Sequence, residues 1–400
     1  MAAKLALTVF LAKYFTLSDV GKYGLLQGLI GTTPAVFGVG INYFMARHLV
    51  GAVDQKIFFV LRDRLTLTFL FSLIGAGLLA LVVNRLEQKI SIGPIFFLLI
   101  VSECIALDVF QALIGLGRSF AANVLLFIRT ALWVLLFMIF GILFSSYRTF
   151  DALILWWSLG NVFSVFCACI YLMRYRQPEI LKTNFDFGWM KVPFLNWGMI
   201  YLADIAIVWQ LYIDRFILGA FHTVEDVGRY TLYFALAGSV SLLVSSGIIQ
   251  PSLNRFVSAF RADACIWAEL IKSRLKLVII SFICIAGAAL FTAFFLLPYF
   301  FEVATFRDGW LEVVLMLGAM FFRTLSDFVT LCFYAAENDR VSAGWNLFGI
   351  LFSSGLVLLG AAFGNLLTVC FAIFCASLFL AFFRLLMLAR LLRNLRIISN

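Results

Sequence analysis

Apolar residues fill this chain in blocks of eighteen or more, separated by short clusters of charge. The blocks do not alternate with a period of two, as the strands of a membrane barrel would. They predict helices that span a bilayer. Twelve spans are expected, at 3–16, 23–46, 66–84, 91–117, 119–144, 151–173, 197–219, 230–250, 276–298, 310–335, 341–362 and 365–388. One stretch occurs twice. Leu11–Ile41 returns 207 residues later as Leu218–Ile248, with 11 identities in 31 ungapped positions. Thr16, Asp19, Val20, Gly21 and Tyr23 meet Thr223, Asp226, Val227, Gly228 and Tyr230. The offset is about half of the chain, which predicts a duplicated six-helix bundle. The halves are read as 1–173 and 197–400, joined by a cytoplasmic linker 174–196 in which Pro178 and Pro193 break helix. Six spans per half is an even number. Both halves then share one orientation about a pseudo-twofold axis along the membrane normal, and the cleft between them suits alternating access.

The first span is short. Leu7 falls opposite Asp214, so this helix lacks about ten residues that its twin has, and the expectation is a start further upstream or insertion from a stub. Lys13 and Tyr14 stand where a cleavage site would need small residues, which argues against a signal peptide. Gly24, Gly28, Gly31 and Pro34 in span two predict close packing and bending.

Composition closes off the soluble classes. The mean hydropathy is +1.05, with 64% apolar and 13% charged residues. The net charge of +9 is read as basic inner loops that set topology, with no nucleic-acid partner. With the N-terminus inside, nineteen Lys and Arg fall in inner segments against seven in outer ones, so both termini are expected in the cytoplasm. Residues 47–65 and 251–275 mix basic and apolar positions and predict short helices lying on the inner surface. The eight cysteines sit almost entirely in apolar runs and read as small hydrophobes. His48 and His222 are far apart, so no metal site is expected. No phosphate-cradling GxxxxGK[ST] loop occurs, and no large outer loop carries paired carboxylates. The chain is therefore expected to be no enzyme and to hold no cofactor, with a proton or sodium ion as the coupling species.

Charge inside the spans carries the functional signal. An unpaired charge at mid-bilayer costs roughly 2.5–3.5 kcal/mol, so such groups must pair, face water or snorkel. Asp108 and Arg129 lie at equal depth on either side of the turn at Arg118, which predicts an ion pair. Glu103 and Arg323 lie mid-span in spans four and ten. Arg323 and Asp327 share a helix face, as do Asp204 and Arg215. Asp214 and Arg215 are placed near the outer end, with their cost relieved by interfacial water. Arg384 is expected to snorkel inward. Arg129, Arg215 and Arg323 are the candidate substrate-binding residues, because a planar, permanently charged fork suits phosphate oxygens. Glu103, Asp108, Asp204, Asp214 and Asp327 are candidates for ion coupling or for balancing those cations.

At Lys13–Tyr23 (KYFTLSDVGKY), Ile213–Tyr230 (IDRFILGAFHTVEDVGRY) and Leu116–Arg129 (LGRSFAANVLLFIR) the chain resembles the polysaccharide biosynthesis membrane proteins. These are the O-antigen and lipid-linked oligosaccharide flippases of the multidrug/oligosaccharidyl-lipid/polysaccharide exporter superfamily. The resemblance implies two six-helix bundles around a cationic cavity in a bacterial inner membrane. It implies movement of an undecaprenyl-pyrophosphate-linked glycan from the cytoplasmic to the periplasmic leaflet for lipopolysaccharide-type surface glycans, with other glycan-assembly membrane proteins as partners. A drug or small-solute exporter of the same fold, and a non-transporting assembly partner, are the alternative readings.

Overall fold

The computed structural model describes residues 2–38, 45, 49, 54–85, 93–173, 188–296, 308–336 and 338–399, and all the regular structure among them is helical. The helices are α1 (Ala2–Tyr14), α2 (Leu17–Phe37), α3 (Asp54–Arg85), α4 (Pro94–Gly115), α5 (Ser119–Leu143), α6 (Phe150–Leu172), α7 (Gly188–Phe221), α8 (Val224–Val244), α9 (Leu253–Ala262), α10 (Ala264–Phe291), α11 (Trp310–Ala335), α12 (Asp339–Phe363) and α13 (Leu366–Ser399). Each of the twelve predicted spans meets a helix, and among the described residues eight helices are long and apolar enough to cross a membrane. The fold is all-α, as expected.

Three boundaries differ from expectation. Residues 54–65 are the opening turns of α3 and not a separate surface helix; 46–48 and 50–53 lie outside the described residues. The 251–275 segment splits at Asp263 into the amphipathic α9 and the start of α10. Asp263 makes that break by accepting from Cys265 N as the α10 N-cap. The linker ends early, because α7 begins at Gly188 and runs through Pro193, which forgoes one bond near its N-terminus. Residues 174–187 lie outside the described residues.

The repeated sequence makes a repeated local structure. Thr16 Oγ1 lies 2.8 Å from Asp19 Oδ2 and accepts from Asp19 N at 3.2 Å. Thr223 and Asp226 reproduce both distances. Each pair is a reciprocal cap at the start of α2 or α8, satisfying donors that the first turn leaves open. Thr16→Ala and Thr223→Ala are each expected to cost about 1 kcal/mol, equally, in unfolding of the purified protein. One turn further on, a Cβ on Gly21 would collide with the Val224 carbonyl oxygen, and one on Gly228 with that of Leu17. Leu17 and Val224 are themselves repeat equivalents. The two helix starts therefore cross backbone to backbone, each glycine under the other's first carbonyl, with Tyr23 and Tyr230 buried beside them.

The α4–α5 hairpin closes on Gly117, whose φ of +69° places it in the left-handed region. Arg118 N donates to Leu113 O at 2.8 Å and Gly117 N to Ile114 O at 2.9 Å, a Schellman turn. The end of α11 repeats it, with Asn338 N donating to Phe333 O at 2.9 Å.

The chain forms two compact units. One comprises Ala3–Phe10 with Leu25–Tyr212, and the other comprises Leu11–Gly24 with Ile213–Asn400. The boundary near Tyr212 falls inside α7, so most of that helix packs with the first unit. The short α1 is divided between the units in the same way.

Candidate functional site

In the first unit the buried charges among the described residues are matched in pairs. Glu103 on α4 is nearly buried and engages with both oxygens. Arg129 Nη2 donates to Oε1 at 2.5 Å, and Asn161 Nδ2 on α6 donates to Oε2 at 2.6 Å. Arg129 lies in a π-helical turn, Ile128–Leu132, and its carbonyl accepts from the Trp133 indole at 2.9 Å. Trp133 stacks on Trp157 with centroids 5.7 Å apart, and Gly160 leaves the room for it. Asp108 points elsewhere. It binds Arg64 of α3, with Nε at 2.9 Å, and accepts from Thr68 Oγ1. Arg64 also donates to Gly38 O at 2.9 Å, just past the C-terminus of α2.

The expected Asp108–Arg129 pair is thus corrected: depth along the hairpin is right, but azimuth is not. Glu103 and Asp108 are five residues apart, about 140° around the helix, so one faces α5 and α6 and the other faces α3. Arg64 falls in the 47–65 stretch expected to lie on the inner surface. It lies three turns inside α3 and is fully buried. Asn161 carried no sequence signal beyond being a lone amide in an apolar span.

The second unit is different. Asp214 and Arg215 are 5% and 2% exposed, so they are relieved by protein groups and not by interfacial water. Asp214 accepts from Tyr230 Oη and from Arg215 N, while Arg215 Nη1 donates to Gly24 O at 3.3 Å and its guanidinium lies over the Phe234 ring at 4.6 Å. Asp204 sits on α7, and its side chain lies outside the described residues.

Arg384 does not snorkel. It is 6% exposed in the middle of α13, donating to Thr330 Oγ1 of α11 at 2.9 Å and to Asn346 Oδ1 of α12 at 2.7 Å. Both partners are neutral. Arg323, Asp327 and Thr330 share one face of α11. Asp327 lies in the electrostatic field of both Arg323 and Arg384, yet no ion pair joins the three among the described residues. That face of α11 is closed at Met316 and Met320 and opens at Arg323 and Asp327. A carboxylate opened to acyl chains would be costly, so this opening is expected to meet water.

Counted back from the two matching hairpin turns, Glu103 and Arg323 stand at the same place, ten residues before Leu113 and Phe333. The repeat has inverted the charge. A further cavity of about 470 Å³ lies at the other end of α11, lined by Asp226, Asp308 and Glu312 with His222 and Arg229. Its acidic lining makes it a poor place for an anion.

No protein-family model and no curated protein sequence matches the chain. Solved structures do. An inward-facing multidrug resistance transporter of the MATE family, in the MOP superfamily, aligns over 100% of this chain and 96% of its own, with 14% identity and a TM-score of 0.73. The lipid II flippase MurJ in an inward closed conformation aligns over 97% of this chain and 85% of its own, with 13% identity and a TM-score of 0.68. A MOP superfamily transporter from Pyrococcus furiosus, for which a reverse polarity of the binding pocket suggests a different function, aligns over 99% and 92%, with 14% identity and a TM-score of 0.60. At these identities the likeness shows the fold alone: the chain has the all-helical, multi-pass fold of the MATE and MurJ structures.

Proposed function

We propose that the protein moves an anionic, lipid-linked oligosaccharide from the cytoplasmic to the outer leaflet of a bacterial inner membrane. It does so by alternating access, with both termini in the cytoplasm. The observation that carries this reading is the charge count at the α11 crevice: Arg323 and Arg384 stand against the single carboxylate Asp327 among the described residues. A net positive charge inside a bilayer favours a phosphate-bearing cargo over a cationic drug. Among the described residues the buried cations of the first unit, Arg64 and Arg129, each have a carboxylate and leave no such surplus. In this state Arg129 and Arg215 hold the bundles in shape, and Arg323 is the candidate binding residue that fronts the crevice. Asp327, which makes no ion pair among the described residues, is the group best placed to carry a coupling proton or sodium ion. Other glycan-assembly membrane proteins would supply the cargo and take it over.

The second reading is a drug or small-solute exporter, favoured by the TM-score of 0.73 to a multidrug transporter. Spheroplasts of a deletion strain separate the two. The flippase reading expects lipid-linked glycan to accumulate in the inner leaflet, restored by the wild-type gene and not by Arg323→Ala. Normal surface glycan together with heightened sensitivity to cationic drugs would favour the exporter.

A further inference from the structure

The hairpin of α9 and α10 carries cations that no protein group balances. Leu253–Lys276 holds Arg255, Arg261, Lys272, Arg274 and Lys276 against two carboxylates, Asp263 and Glu269. Asp263 is committed to the α10 N-cap. Among the described residues Arg255, Lys272, Arg274 and Lys276 make no ion pair. Arg255, Lys272 and Lys276 are exposed. The apolar face of α9 is turned to protein: Phe256 meets Phe328 of α11 edge to face at 5.7 Å, and Phe260 meets Trp267 of α10 at 5.1 Å. Counted from the break at Asp263, Arg255 is eight residues back and Lys272 nine on, so the two stand at nearly the same depth.

The charge pattern of α10 sets that depth. Leu277–Leu296 is a run of twenty residues without a charge, helical throughout and little buried. At about 1.5 Å per residue it spans about 30 Å, the thickness of the hydrocarbon core. Lys276 therefore stands at one edge of that core, and Lys272 about 6 Å beyond it, in the phosphate layer. Azimuth agrees with depth. Lys272, Lys276, Ile280 and Ile283 follow at spacings of four, four and three, so they line one face of α10, and all four are exposed. An exposed isoleucine in such a span is turned to acyl chains. The two lysines thus stand in line with the lipid that Ile280 and Ile283 meet, at the level of its headgroup. Glu269 lies about 10 Å from Lys276 along the axis, past that layer. We infer that this face of α10 binds the headgroup phosphate of an anionic glycerophospholipid, with Lys272 and Lys276 as its ligands and Arg255 adding to the field at the same depth. The occupant is a lipid of the surrounding leaflet and not the transported molecule, so the inference stands apart from the cargo reading.

The test titrates the full-length protein, in neutral detergent micelles, with phosphatidylglycerol or with phosphatidylcholine, and reads the first bound lipid by native mass spectrometry. The wild-type protein is expected to bind the first phosphatidylglycerol at least threefold more tightly than the first phosphatidylcholine. Lys272→Gln together with Lys276→Gln is expected to bring the two lipids close to parity. Lys272→Arg together with Lys276→Arg keeps both charges and is expected to keep the preference, which separates a lost site from a damaged fold. Arg390→Gln with Arg393→Gln removes two exposed cations from α13 and is expected to leave the preference in place. An equal loss in that pair would reveal a diffuse positive field in place of a site and overturn the inference. Parity in the wild-type protein would overturn it as well, and would leave the lysines to an acidic protein partner.

Discussion

Arg64→Met is expected to destabilise the protein by about 3–5 kcal/mol, the range for removing one partner of a buried ion pair. The substitution keeps much of the volume and leaves Asp108 charged and 2% exposed, with the Thr68 hydroxyl still donating to it but no cation in place of Arg64. It also strips Gly38 O of its Arg64 donor at the end of α2. Asp108→Leu alone is expected to cost as much, by stranding Arg64. The double variant is expected to recover most of the loss, because two apolar groups of similar shape remove both desolvation penalties. The measurement is a double-mutant cycle in unfolding of the purified protein. Losses that simply added would show that the two residues act independently.

Gly21→Ala and Gly228→Ala are expected to give the second largest effect, at or above the usual 1–3 kcal/mol for overpacking. In both, the new methyl meets a carbonyl oxygen on the opposing helix start, and a backbone atom cannot rotate away. The two losses should be equal, since the contacts are reciprocal. Gly287→Ala is the control: nothing lies within reach of its Cβ, and the helix gains up to about 1 kcal/mol of propensity. Unequal losses would break the symmetry of the crossing.

The repeat was legible because its chemistry is local. A threonine, an aspartate three residues on and a glycine after that make a cap and a close crossing wherever they occur, and both copies do so. The twelve spans were legible because the bilayer requires long apolar runs. The partners of the charges were not. Sequence gives the depth of Asp108 and Arg129, but which helix lies on which side of α4 is a property of packing. Arg64 was hidden for a related reason: the apolar block of span three starts at 66, while the helix starts at Asp54. Arg384 was read toward the end of an apolar run that the helix in fact outlasts, continuing to Ser399. The sequence placed Glu103 and Arg323 mid-span in equivalent spans, and the two hairpin turns fix their register.

The central claim is that a phosphate-bearing lipid crosses the bilayer through this protein by way of the α11 crevice. Reconstituted proteoliposomes carrying a fluorescent isoprenyl-diphosphate-linked oligosaccharide test it most directly, with leaflet exchange read by quenching from outside. The account predicts exchange that depends on the protein and falls at least tenfold in Arg323→Ala. Exchange no faster than in empty liposomes, in vesicles that do transport a cationic dye, would contradict it.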